Sequence, residues 1–251
     1  MKHLIIMWFG VVLLVSSGKN ALSETWRIAS LVWPPYAGPM LDEDGIAVAV
    51  LRSSLARINV ELEIDYMAWP RAKALTAQND YLAFFPAWPE EILEGYISSK
   101  PVEMSQIGVV FTAGQPVRWN SLQEVFDKYT VGFVSNYVYP EALQAEIDQR
   151  FAGDAGADTE RDLVRMLAAG RVDVAITDPN VMLFLAEEMA LGSIRAHSKV
   201  LFRKPLLVAF KDTPENRVRR DQLNKVLPTV NLHQLVCCRF VPQSVEMRPV
   251  Q

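Results

Sequence analysis

Short apolar runs alternate with stretches of helical periodicity along most of this chain. Trp26–Val32 reads as a strand, and it runs into Trp33-Pro34-Pro35-Tyr36-Ala37-Gly38-Pro39, where the prolines exclude both helix and ladder. Asp44-Gly45 precedes a helix to about Ile58, with Ile46, Val50 and Leu51 on one face and Ala49 filling between them. Glu61–Met67 alternates charged and apolar residues, the pattern of a half-buried strand. A short helix is expected over Arg71–Ala77, then a buried strand over Tyr81–Phe85 that ends at Pro86.

A second series follows. Ile107–Phe111 reads as a strand, and Ser121 as the N-cap of a short helix to Lys128, with Glu124 completing a capping box. Tyr129–Val134 is the next strand, and Asn136-Tyr137-Val138-Tyr139-Pro140 turns into a helix to about Arg150. Gly153–Gly156 is a short flexible loop. Asp158-Thr159-Glu160-Arg161 opens a helix that ends at Gly170, a C′ glycine. Val172–Thr177 is a buried strand, and Asp178-Pro179-Asn180 caps the helix after it. Leu206–Phe210 is a strand and Pro214 to about Leu227 the last helix. This alternation predicts an α/β fold with mostly parallel sheets, and two such series predict two lobes. In open α/β sheets ligands sit beyond the carboxyl ends of strands. The loops beginning at Trp33, Trp69, Pro86, Ser135 and Asp178 are therefore the candidate site loops.

The N-terminus changes where this fold is expected to work. Lys2 precedes an apolar run from Leu4 to Val15, too short to cross a hydrocarbon core of roughly 30 Å comfortably. Ala21-Leu22-Ser23 then offers small residues at the two positions a signal peptidase reads. Cleavage after Ser23 and export to the periplasm are expected; an uncleaved anchor is the alternative. No cysteine lies between the apolar run and Glu24, so a lipid-anchored form is not expected. Cleavage removes Lys2 and Lys19 and no acid, which takes the formal charge from −4 to −6. A mildly acidic product argues against nucleic acid or an anionic membrane as the main partner. The adjacent Cys237 and Cys238 are the only cysteines, and they read as small apolar side chains near a helix end rather than as a redox pair.

Catalytic signatures are sparse. After cleavage the histidines are His197 and His233, neither in a metal-ligand spacing. No phosphate-cradling glycine loop occurs, and Glu90-Glu91 and Glu187-Glu188 read as solvated helix faces. No catalytic residue, metal or cofactor is expected. The aromatics say more: Trp33, Tyr36, Trp69, Trp88, Tyr137 and Tyr139 all fall in predicted loops. Several rings on site loops favour a cleft that stacks a small ligand, and a tryptophan face can also hold a cation. Asp178 reads either as a helix N-cap or as a carboxylate that meets a ligand ammonium. Arg71 reads either as a surface cation or as a guanidinium that grips a ligand carboxylate.

On these residues the chain resembles the type II periplasmic solute-binding proteins, specifically those that deliver polar amino acids to ABC importers. Trp26-Arg27-Ile28-Ala29 with Trp33-Pro34-Pro35-Tyr36 is similar to that family's first strand and aromatic-Pro-aromatic loop. Gly45 and the stretch from Ile46 to Ile58 resemble its first helix, and Trp69-Pro70-Arg71-Ala72 its W-x-R-A stretch. Gly170-Arg171-Val172-Asp173-Val174-Ala175-Ile176-Thr177-Asp178 is similar to its GRVDAVVTD segment. The likeness runs from Trp26 to about Val230.

The resemblance implies two α/β lobes, 24–105 with 205–251 and 106–204. Crossovers near Met104–Ile107 and Arg203–Leu206 would let them close on a ligand. It places ligand-stacking aromatics at Trp33 and Trp69, backbone amides at Asn136, Tyr137 and Val138, and the ammonium-binding acid at Asp178. Tyr36 and Phe85 complete the candidate ligand-binding set, Phe84-Phe85 standing where the family has a Ser-rich segment. One departure matters: where the family has T-P-E-R, with a carboxylate-binding arginine, this chain reads Trp88-Pro89-Glu90-Glu91-Ile92. Either Arg71 replaces that clamp or the ligand lacks the carboxylate. The implied function is a monomeric periplasmic receptor that captures a small polar solute, an amino acid or an amine, for an ABC permease. A dehydratase-like enzyme on the same fold, and a ligand sensor read by a membrane partner, are the alternatives.

Overall fold

The computed structural model describes residues 23–151 and 156–228. The N-terminal apolar run expected as a signal peptide, most of the Gly153–Gly156 loop, His233 and the Cys237-Cys238 pair lie outside the described residues. In chain order the elements are β1 (Glu24–Ser30), α1 (Ile46–Ala56), β2 (Val60–Tyr66), α2 (Trp69–Ala77), β3 (Ala83–Ala87), β4 (Tyr96–Ser98) and β5 (Glu103–Thr112). They continue as α3 (Leu122–Lys128), β6 (Val131–Gly132), α4 (Glu141–Arg150), α5 (Glu160–Ala168), β7 (Val174–Thr177), α6 (Pro179–Glu188), β8 (Ile194–Lys211) and α7 (Pro214–Val226).

The strand order is β2-β1-β3-β8-β5-β7-β6, with β4 also on β8. Each lobe keeps a parallel unit. β1 is parallel to both β2 and β3 in lobe one, and β6 is parallel to β7 in lobe two. All antiparallel ladders involve β5 or β8, the two strands that run from one lobe into the other. These two pair with each other through Met104 opposite Pro205, Ser105 opposite Lys204 and Gln106 opposite Arg203. The two segments expected as crossovers therefore lie side by side and are hydrogen-bonded.

Several expected boundaries shift. β8 begins at Ile194 rather than Leu206, and β5 at Glu103 rather than Ile107. The added part of β8 carries charged and half-exposed residues, and that of β5 holds buried polar Ser105 and Gln106, so their extended form comes from mutual pairing rather than from an apolar pattern. β6 shrinks to two residues, with Val134 making only an isolated bridge to Ala157. On α1 the buried stripe is Ala47, Val48, Leu51 and Leu55, and Ile46 and Val50 are only half-buried. Ser121 caps α3 by accepting the Glu124 N–H at 3.2 Å, but the Glu124 carboxylate accepts from Asn120, one residue before the expected position. Gly170 ends α5 with a φ of 68°, as its C′ position requires.

Candidate functional site

The carboxyl ends of β1, β2 and β3 face those of β6 and β7, and the loops that leave them form a cleft. The first loop is a tight turn: the Trp33 N–H donates to the Ala37 carbonyl at 2.7 Å, and the Tyr36 and Ala37 N–H groups donate to the Trp33 carbonyl at 3.0 Å. The same loop serves as the cap of α1. The Ile46 N–H donates to the Pro35 carbonyl and the Ala47 N–H to the Tyr36 carbonyl, each at 3.0 Å. Helix starts usually satisfy these N–H groups with a side chain; here the aromatic loop satisfies them and is thereby anchored. Gly45 makes the approach feasible. It has a φ of 103°, and a Cβ there would lie 2.7 Å from the Tyr36 oxygen.

Trp33 stacks on Tyr36, ring centroids 4.7 Å apart, and meets the edge of Trp88 at 6.0 Å. Trp69 is the first residue of α2 and not, as expected, in a loop; its ring edges against Phe84 at 5.4 Å. The Trp69 Nε1–H donates to Glu91 Oε1 at 2.6 Å, and the Lys73 ammonium donates to the same oxygen at 3.2 Å. Glu91 Oε2 accepts the Trp88 N–H at 3.2 Å. Glu91 is thus a buried, fully engaged carboxylate, and the expectation of a solvated Glu90-Glu91 face is corrected. Trp69, Lys73 and Trp88 offer Glu91 enough donors to hold it inside. Glu90 also has a partner, the buried Lys204 ammonium on β8. Burial pushes the Glu91 carboxyl up, opposed by Lys73 and Trp69.

Lobe two contributes Tyr137, Tyr139, Glu160 and Asp178. Glu160, the first residue of α5, is 5% exposed. Its Oε1 accepts the Trp33 Nε1–H from lobe one at 2.7 Å and the Tyr137 hydroxyl from its own lobe. Burial raises the Glu160 carboxyl, and these two donors oppose the shift. Asp178 forms a second contact between the lobes. Its Oδ1 caps α6 by accepting from Asn180 N–H at 2.7 Å and Val181 N–H at 3.4 Å. Its Oδ2 accepts from Gln106 N–H and from the Tyr36 hydroxyl, each at 3.0 Å. The Asn180 side-chain amide donates in turn to the Tyr36 hydroxyl at 2.9 Å. Asp178 has no exposed surface, and burial pushes its carboxyl up to about 7 against those hydrogen bonds.

Between the lobes lies a narrow cavity of about 10 Å³, lined by Trp33, Trp69, Trp88, Glu91 and Tyr137 with Leu31 and Pro86. Trp69, Tyr137 and Leu31 also line an adjoining void that reaches Asn136, Asp158 and Glu160. The structure therefore brings Trp33, Trp69, Asn136 and Tyr137 of the expected set together on the cleft wall. Tyr36 stands behind Trp33, Phe85 is buried in β3, and Val138 is half-buried off both linings. Asp178 is occupied as a cap and lobe contact, and its two oxygens already accept four hydrogen bonds, the capacity of a carboxylate. Arg71 is exposed on α2 and lines neither void; Lys73, two positions along the same helix, is the cation that reaches the Trp69–Glu91 pair. Trp88, Glu91 and Glu160 carry much of the wall and stand outside the expected set. A signal for Trp88 was present, since it is a loop aromatic. Glu91 and Glu160 read in sequence as ordinary helix-start acids.

No family model matches the chain, and no curated protein matches it in sequence. Solved structures do. A histidine kinase sensor domain with similarity to periplasmic binding proteins matches with a TM-score of 0.70 at 14% identity, over 82% of this chain and 90% of that one. An ancestral arginine-binding protein bound to arginine matches with a TM-score of 0.64 at 16% identity, over 82% and 92%. The GluR0 ligand-binding core from Nostoc punctiforme, in complex with L-glutamate, gives 0.61 at 15% identity over 80% and 91%. At such identities the likeness concerns the fold, and the fold of this chain is the two-lobed α/β architecture of the periplasmic binding proteins.

Proposed function

We propose that this protein is an exported binding protein that captures a small solute between its lobes and presents the closed form to a membrane partner. One observation carries the reading: side chains from both lobes, Trp33, Trp69, Trp88 and Glu91 from one and Tyr137 from the other, line one narrow interlobe cavity, and Trp69 and Tyr137 continue into an adjoining void of about 270 Å³. Such a pocket, mostly apolar with a few placed polar groups, is the usual form of a small-molecule site. The structural neighbours support binding as the role, since those named above include an arginine-binding protein and a ligand-binding core held with glutamate. Export rests on the short apolar run from Leu4 to Val15 and the small residues before Glu24. Delivery to an ABC-type permease is the first route for the bound solute. A sensory role is the second, favoured by the match to a histidine kinase sensor domain. The test is a thermal-shift screen of amino acids, amines and organic acids, followed by small-angle scattering on each hit. A ligand at 100 times its Kd should add about 2.7 kcal/mol of stability and compact the protein. Hits that stabilise without compaction would count against capture by lobe closure, and turnover of a hit would favour an enzyme.

A further inference from the structure

The charges around the cleft specify the class of solute more narrowly, on the reading that the cleft is the binding site. Its two adjoining voids are lined by Trp33, Trp69, Trp88 and Tyr137 and by the carboxylates Glu91, Asp158 and Glu160; among the described residues neither lining includes a lysine, arginine or histidine. Two lysines stand behind the wall, Lys73 over the Trp69 ring at 5.5 Å and Lys204 over the Trp88 ring at 5.8 Å, and each is already paired: Lys73 with Glu91, and Lys204 with Glu90. Glu160 is different. Its donors are the neutral Trp33 indole, the Tyr137 hydroxyl and its own N–H, and among the described residues no ion pair joins it. A buried carboxylate held only by neutral groups and a helix start carries its charge at a cost, which a cation beside it would relieve. A ligand carboxylate would add a second negative charge there and meet no guanidinium or ammonium on the lining. A ligand cation in the larger void would meet the Asp158 and Glu160 carboxylates and the rings of Trp69 and Tyr137.

We propose that the cleft takes a small organic cation without a carboxylate, an amine, guanidine or quaternary ammonium compound, seated in the larger void between Trp69, Tyr137 and Asp158 with Glu160 as its counter-charge. Glu91, neutralised by Lys73, orients the Trp69 ring through its indole N–H rather than carrying the ligand's charge.

The test titrates the purified protein calorimetrically with pairs that differ by one carboxylate: agmatine and arginine, cadaverine and lysine, choline and glycine betaine. In at least one pair the member without the carboxylate should bind at least tenfold more tightly. Glu160→Gln, which keeps the acceptor oxygen and removes the charge, should weaken that cation by about tenfold to a hundredfold. Asp158→Asn, at an exposed position, should fold normally and weaken it severalfold. Equal or tighter binding of the carboxylated members overturns the proposal, as does cation affinity unchanged in both variants. A neutral or anionic solute that binds and compacts the protein, with no cation doing so, sinks the cation class and leaves the binding-protein reading intact. Binding by no solute of any class sinks both.

Discussion

The Trp33–Glu160 hydrogen bond joins the two lobes through side chains, and its strength can be isolated. Trp33→Phe removes the indole N–H that donates at 2.7 Å while keeping an aromatic ring over Tyr36. Both partners are almost wholly buried, Trp33 at 3% and Glu160 at 5% exposure, so water does not replace the lost donor. A hydrogen bond to a charged group contributes about 1.5–3 kcal/mol. Shrinking the indole to a phenyl ring adds roughly 1 kcal/mol of lost apolar packing. Trp33→Phe should therefore destabilise the protein by about 2.5–4 kcal/mol. The packing loss is separated from the bond by a double-mutant cycle with Glu160→Ala, because the Tyr137 contact is lost equally on both sides of that cycle. The expected coupling is about 1.5–3 kcal/mol, read from urea unfolding at constant m-value. Burial raises the Glu160 carboxyl, so the coupling should weaken as the pH is lowered and the group protonates. A coupling below about 0.5 kcal/mol, within the error of additivity for unrelated sites, would show that the lobes do not meet at this bond in solution.

Three further outcomes follow from the same geometry. The Asp178 carboxyl sits at about 7 in the folded protein against an ordinary 3.8, so the native state holds a proton that the unfolded chain releases. Stability should fall as pH rises from about 4 to about 7, by a total of about 4 kcal/mol from this group, and level off above. Urea unfolding across that range should show the slope, and Asp178→Asn should flatten it; a wild-type slope retained in the variant would refute the assignment. Gly45→Ala forces a Cβ against the Tyr36 carbonyl at a positive φ and should cost about 2 kcal/mol or more. Calorimetry of that variant showing an unchanged Tm would mean that the loop–helix contact is not as tight as described. If the protein is exported as proposed, its mature form should begin at Glu24, as N-terminal sequencing would show; retention of Met1 in the membrane fraction would refute signal cleavage.

Much of the architecture was legible in the chain because each element carries its own period and its own stop signal. The Trp33–Pro39 loop, the Gly170 C′ turn and the Asp178 cap with Pro179 are local decisions, made by backbone restriction and by side chains bonding to nearby N–H groups, and they stand where the sequence puts them. The rings of Trp33, Trp69 and Tyr137 were also readable as cleft residues, since a large aromatic at the carboxyl end of a strand has few other places to go. What tertiary structure decided is which polar groups are buried together. Arg71 and Lys73 are both cations on α2, and only the facing of that helix leaves one exposed and sets the other beside Glu91. Glu91 and Glu160 look in sequence like any acid in a first helical turn; they become buried wall residues because indoles from distant segments, Trp69 and Trp33, arrive with N–H donors. Likewise the first half of β8 has no strand pattern of its own and becomes extended because β5 lies alongside it. Local preference acts over a few residues, whereas satisfying a buried charge or a strand edge needs partners that only folding brings into reach.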